Sequence, residues 1–165
     1  MEPGQRYWTV LAPYWDALSI DTPQEFETTI KRVPRPVALL YAAHFCQSEV
    51  RNGGFTQFFR NSTGVLAPEA IEGFNAIGQQ RVAESVKRAM FFLGAPYSRN
   101  RSDRWTALNR LVEQHGGTPA TLFGEIKYRN ADCFRSIEIE FYSLIDSEAG
   151  GFEVAADRYA EHLAI

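Results

Sequence analysis

Apolar residues recur along this chain every three or four positions, in runs separated by proline, glycine and capping residues. That is the pattern of a string of amphipathic helices. Trp8, Leu11, Trp15 and Leu18 mark a first helix, interrupted at Pro13, whose ring supplies no amide donor. Thr22-Pro23-Gln24-Glu25 reads as a capping box with proline at the first helical position, opening a short helix through Phe26 and Ile30. After Pro34 and Pro36 comes a longer helix with Val37, Leu40, Tyr41, His44, Phe45 and Ser48 on one face, ended by Gly53-Gly54.

Pro68 opens a helix carrying Ile71, Phe74 and Ile77, with Gly78 at its end. Val82, Val86, Met90 and Leu93 mark the next. Ser102 or Asp103 caps another, bearing Trp105, Leu108, Leu111 and Val112 and closed by Gly116-Gly117. Thr118-Pro119 starts a shorter helix through Leu122, Phe123 and Ile126. The run Ile137 to Phe141 alternates as a strand would, yet Phe134, Ile137, Phe141, Leu144 and Ile145 also share one helical face. With no partner strand elsewhere, helix is the expectation. Phe152, Ala155, Ala156, Tyr159, Ala160 and Leu163 form the last amphipathic face. No repeat or linker appears, so residues 1–165 are expected to form a single, compact all-α domain of about eight helices. The Pro96 to Arg104 segment is expected to be a mobile, exposed loop.

Composition fits a globule: 165 residues, 45% hydrophobic and 13% aromatic. A net charge of -3 argues against direct nucleic-acid binding, which usually needs a basic surface. The charge is uneven. Between Gln79 and Arg110 lie seven Arg or Lys against two acids, and after Ala131 lie eight acids against two arginines. Such polarity either steers partners or belongs to two solvated helix faces. Cys46 and Cys133 lie far apart in apolar surroundings, as reduced cytoplasmic thiols do. No secretion signal and no membrane-length apolar run is visible.

Catalytic templates are missing. There is no phosphate-binding glycine loop, no GxSxG and no HExxH, and the three histidines fall in separate helices. His44 and Cys46 point in different directions on one helix. No catalytic residue, metal or cofactor is therefore assigned.

The segment Glu49 to Gly64 differs from the rest. Asn52 with Gly53-Gly54 permits a tight turn, and Phe55, Phe58 and Phe59 then place rings on one side of a short helix. Gln57 and Asn61, four apart, can bond each other or a nearby backbone, and Asn61-Ser62 before Gly64 reads as a second turn. Two readings stand. These polar groups satisfy open helix ends, or they form a rigid notch that holds a small ligand or supports a reaction.

Glu49, Asn52, Gly53, Gly54, Phe55, Gln57, Phe58, Phe59, Asn61, Ser62 and Gly64, at this spacing, resemble the signature of a bacterial domain family of unknown function that includes a DNA-mimic protein. Pro68-Glu69-Ala70, Ala76-Ile77-Gly78, Glu140-Phe141-Tyr142, Tyr159 and His162 extend the resemblance over about Pro36 to His162. It implies an all-helical fold, homodimerisation and, in one branch, an acidic surface that imitates the DNA backbone and occupies a DNA-binding protein. It implies no enzymatic activity.

The acidic end offers candidates for that surface: Glu138, Glu140, Asp146, Glu148, Glu153, Asp157 and Glu161. The last three recur every four residues, a ridge with about 6 Å between steps. They serve a partner or merely lie opposite the apolar face. The resulting expectation is a cytoplasmic homodimer that binds a basic or DNA-binding protein, with no direct nucleic-acid or membrane contact. A self-contact is expected on the exposed side of Ile137, Ile139, Phe141 and Tyr142.

Overall fold

Helices supply all the regular structure of the described residues, 2–115 and 132–163 of the computed structural model, and no strand forms among them. In chain order they are α1 (Gln5–Leu11), α2 (Pro23–Thr29), α3 (Arg35–Arg60), α4 (Ala67–Ala76), α5 (Gln80–Phe91), α6 (Arg101–Gln114), α7 (Arg135–Ile145) and α8 (Phe152–Glu161), with short 3-10 turns between several of them. None is long and apolar enough to cross a membrane. The alternating run at Ile137 lies inside α7, with Ile137 and Phe141 buried and Ile139 exposed. The helix expected from Thr118 to Ile126 lies outside the described residues.

The centre of the fold is α3. It packs against α1, α4, α6 and α7, so its burial exceeds a single stripe: Ala38, Ala42, Ala43, Cys46 and Val50 are as buried as Val37, Leu40 and Tyr41. Of the expected face, His44 and Phe45 are only half-buried and Ser48 is exposed. The α4 crossing is close because Gly73 has no side chain. A Cβ there would lie 2.3 Å from the Leu39 carbonyl oxygen.

The N-terminal arm docks through specific polar contacts. Asp157 of α8 accepts hydrogen bonds from the Gly4 and Tyr7 amides, both at 2.8 Å, and so caps α1 across the chain. Trp15 follows a 3-10 turn at Ala12–Tyr14, where Pro13 ends the first helix, and stacks on Phe45 at 5.0 Å between ring centroids. Of the expected capping box the Thr22 cap forms, the Glu25 amide donating to Thr22 Oγ1 at 3.2 Å, while the Glu25 carboxylate accepts from the Ser19 hydroxyl at 3.0 Å. Further on, Asn100, not Ser102 or Asp103, caps α6, its Oδ1 accepting the Ser102 amide at 2.9 Å.

Candidate functional site

The glycine pair does not end α3 but breaks it. Gly53 and Gly54 leave helical geometry, Gly54 at φ 72° and ψ −177°, and the chain re-enters a helix that runs to Arg60. Re-entry creates a second helix start with open amides. Glu138 of α7 supplies the acceptor, its Oε1 taking the Phe55 N–H at 2.8 Å. Four residues on, the Tyr142 hydroxyl donates to Val50 O at 2.9 Å. One face of α7 thus holds α3 on both sides of the break. The break also turns Phe55, Phe58 and Phe59 fully into the core, where Phe55 meets Phe141 edge-on at 5.4 Å.

Gln57 and Asn61 do not bond each other. Both amides donate to one carboxylate oxygen of Glu49, at 2.7 and 3.0 Å. Glu49 precedes the break and its partners follow it, so the three side chains tie the two halves of α3 together. All three are half-buried, whereas Asn52 is exposed and Ser62 half-buried at the start of a 3-10 turn. With both amides committed to Glu49, we expect Gln57→Ala or Asn61→Ala to cost about 1 kcal/mol, at the low end for a group left short of a partner because each site is half-open to water. Chemical denaturation of each variant checks this, and a loss well below that value would return the amides to ligand duty.

The carbonyls at the end of α3 are satisfied by side chains from the segment expected to be mobile. Arg104, only 2% exposed, donates to Phe59 O at 2.8 Å, to Asn61 O at 2.9 Å and to Arg99 O. Arg101 Nε and Trp105 Nε1 both donate to Arg60 O, at 2.8 and 3.0 Å. Arg99 reaches Val65 O and forms a two-pronged pair with Glu69 at 2.8 Å. The Tyr97 hydroxyl donates to the carbonyl of buried Gly64 at 2.6 Å. Pro96 to Arg104 is therefore bonded to the signature, and its cations serve as caps instead of a surface patch. One signal in the sequence points to this: Arg104 shares the apolar stripe of Leu108, Leu111 and Val112.

The acidic residues divide by task. Glu138, Glu148 and Asp157 cap helix starts, Glu148 taking the Arg81 and Val82 amides of α5 at 2.9 and 3.0 Å. Glu140 pairs with Arg88, Asp146 with Arg51, and Glu161 with Arg6 at 3.5 Å. The Glu153–Asp157–Glu161 ridge is interrupted at its centre, since Asp157 turns in toward α1. Glu153 and Asp146 line a cleft of about 420 Å³ together with Gln47, Arg51, Gly150, Gly151 and Phe152. A second group of acids, close together in sequence, lies near the N-terminus. Asp16, Asp21, Glu25 and Glu27 are all exposed, and no Lys or Arg occurs between Tyr7 and Ile30.

No nucleophile pair forms at His44 and Cys46. His44 lies within 3.3 Å of the Tyr7 hydroxyl, and burial lowers its pKa. Burial, and secondarily Glu49, pushes the Cys46 thiol far up. Among the described residues no His, Cys, Asp and Glu cluster could hold a metal ion.

No curated protein and no solved structure matches the chain. The model of the family described as DMP19-like protein matches residues 31–162, which include the Gly53-Gly54 break, the Glu49 tie, the arginine caps and the α7 clamp. By that match the chain belongs to the DMP19-like protein family.

Proposed function

We propose that the protein is a cytoplasmic, homodimeric binding module that occupies a DNA-binding protein through an acidic surface. Family membership over residues 31–162 carries this reading, since the family includes a DNA mimic. Free cysteines suit a reducing compartment. The carboxylates that cap helix starts belong to the fold, which leaves Glu140, Asp146, Glu153 and Glu161 to face a partner. Three of these hold arginines, but in exposed pairs: the side chains of Arg6 and Glu161 are 44% and 48% exposed. Exposed ion pairs are worth only about 0–1 kcal/mol, so the cations of a basic groove compete for them at little cost. The exposed acids between Tyr7 and Ile30 need no such exchange.

The notch reading, a small-ligand or catalytic site at Asn52, Gln57 and Asn61, has less support because Glu49 occupies the two half-buried amides. The test is retention of a partner from native extract on immobilised protein. We expect a DNA-binding protein that is released by rising salt and by added duplex DNA. Glu153→Lys with Glu161→Lys should abolish retention at a stability cost of no more than about 1–2 kcal/mol, since Glu153 lies in the first turn of α8 and Glu161 pairs with Arg6, both in exposed positions. A partner indifferent to salt and to DNA would sink the mimic reading.

A further inference from the structure

Helix α1 has no start signal of its own. Its N-cap is Gly4 and its first turn holds no acid. Arg6 stands in that turn, where a cation opposes the helix dipole. The carboxylates that steady this end all come from α8. Asp157 takes the Gly4 and Tyr7 amides, both at 2.8 Å, and Glu161 takes Arg6 at 3.5 Å. The Glu153 carboxyl packs on the start of α1, since a Cβ built on Gly4 would lie 3.3 Å from its Cδ. Burial, then Glu153 and Asp157, push the Tyr7 hydroxyl up to about 12, so both acids stand within electrostatic reach of that ring. Helix α1 thus lies along the whole Glu153–Asp157–Glu161 ridge.

We infer that α1 is a built-in cover for this ridge, docked in the free protein and displaced when a cationic partner takes the same three carboxylates. The inference rests on the acidic-surface reading above and adds its regulation. DNA-binding proteins hold phosphates with backbone amides at helix starts and with arginines. Helix α1 uses the same two devices on α8, its start on Asp157 and its arginine on Glu161, and so occupies the ridge as such a partner would. It precedes the residues that the family model matches, whereas α8 lies within them.

The cover is built to leave as a unit. With seven residues α1 is well short of the dozen or so that an isolated helix needs, so its helix and its docking are lost together. Leu11 and Tyr7 hold it by burial, Tyr7 meeting His44 of α3 and Phe152 of α8 at 5.9 and 5.7 Å between ring centroids. Its start depends on Asp157, which a partner's cation also attracts. By linkage, the factor by which docked α1 weakens a cation's hold on the ridge is the factor by which that cation weakens the docking of α1.

The test uses the full chain, with an octa-arginine peptide as the cationic probe at low ionic strength, where exposed charges are least screened. Thr9 is exposed and lies inside α1, so Thr9→Pro breaks the helix without changing the charge, and Thr9→Ala is its control. Hydrogen exchange over residues 4–11 should quicken in Thr9→Pro and, in wild type, on adding the peptide, while α4 and α5 stay protected. Thr9→Pro should bind the peptide about tenfold more tightly than wild type or Thr9→Ala, within the usual range of coupling between two sites. Adding Asp157→Asn and Glu161→Gln to Thr9→Pro should remove that gain. Equal affinity of wild type and Thr9→Pro would overturn the cover and leave the acidic surface standing. So would wild-type exchange over residues 4–11 that saturating peptide leaves unchanged, a readout that holds even where Thr9→Pro fails to fold. A gain that survives Asp157→Asn with Glu161→Gln would overturn the ridge as the covered surface. No binding of the peptide to any of these proteins would overturn the cover and the acidic-surface reading together.

Discussion

Replacing Arg104 with alanine should cost about 3–5 kcal/mol of folding stability, in the range reserved for a buried network losing its hub. The guanidinium is the shared donor for Phe59 O, in the last turn of α3, for Asn61 O, which also takes the Gly64 amide at 3.1 Å, and for Arg99 O. Burial and the neighbouring Arg101 and Arg99 lower its pKa, opposed by Tyr97, yet a guanidinium has ample reserve to stay charged. Three carbonyl dipoles then stand in for a carboxylate partner. Arg104→Met separates donors from packing, because it keeps most of the apolar stem. It should still lose more than half of the alanine effect. Arg104→Lys should recover only part, since a compact ammonium cannot span three acceptors in different directions. Urea midpoints with unchanged slopes would measure all three. If the methionine variant matched wild type, the carbonyls would have other donors and the hub would be illusory.

Helix positions were legible in this sequence because apolar period and proline or glycine punctuation are local signals. The Thr22 cap, the glycine break and the amphipathic α8 all follow from residues within four or five positions of one another. Even the ambiguous α7 could be settled by the continued period through Leu144 and Ile145. What escaped is every partner at long range. Glu138 reads as an exposed acid until α7 is laid across α3, where it becomes the cap of a helix start 83 positions earlier. Asp157 reads as the middle of an acidic ridge, and only the docking of α1 turns it inward. The arginines from Arg99 to Arg104 look like a basic loop, since nothing local says that carbonyls of α3 lie within reach. The same principle governs the signature. Its glycines announce a turn, but the choice of Glu49 as common acceptor for Gln57 and Asn61 depends on how far α3 bends there. Charge counted along the chain therefore overstates the field around the folded molecule, because caps and ion pairs consume much of it.

Gly54→Ala should be comparably severe, at about 3–4 kcal/mol. At φ 72° and ψ −177° the residue occupies a region that is essentially closed to side chains, worth about 1–3 kcal/mol of strain. A Cβ would also lie 2.3 Å from Glu138 Oε1, so the carboxylate must leave the Phe55 amide it caps, which adds about 0.5–2 kcal/mol. The neighbouring glycine is the control. Gly53 sits at φ −154°, outside the left-handed region, and its added Cβ would lie 2.0 Å from Gln57 Oε1, which can swing away, and 2.8 Å from Gln57 Cβ, which moves only with the backbone. Gly53→Ala should therefore cost the Gln57–Glu49 hydrogen bond, about 1 kcal/mol, plus a small backbone adjustment at Gln57, and still less than Gly54→Ala, which adds left-handed strain. Coupling separates strain from the lost cap. Glu138→Ala alone should cost about 1–2 kcal/mol, and combined with Gly54→Ala the losses should fall short of additive by about 1 kcal/mol, because the cap can be lost only once. Equal costs at the two glycines, or full additivity with Glu138→Ala, would show that the break is not held by this backbone conformation and this cap. Since the break fixes how α7 lies on α3, Gly54→Ala should also loosen the face that carries Ile139 and Tyr142. Any self-association through that face should weaken in step with the loss of stability.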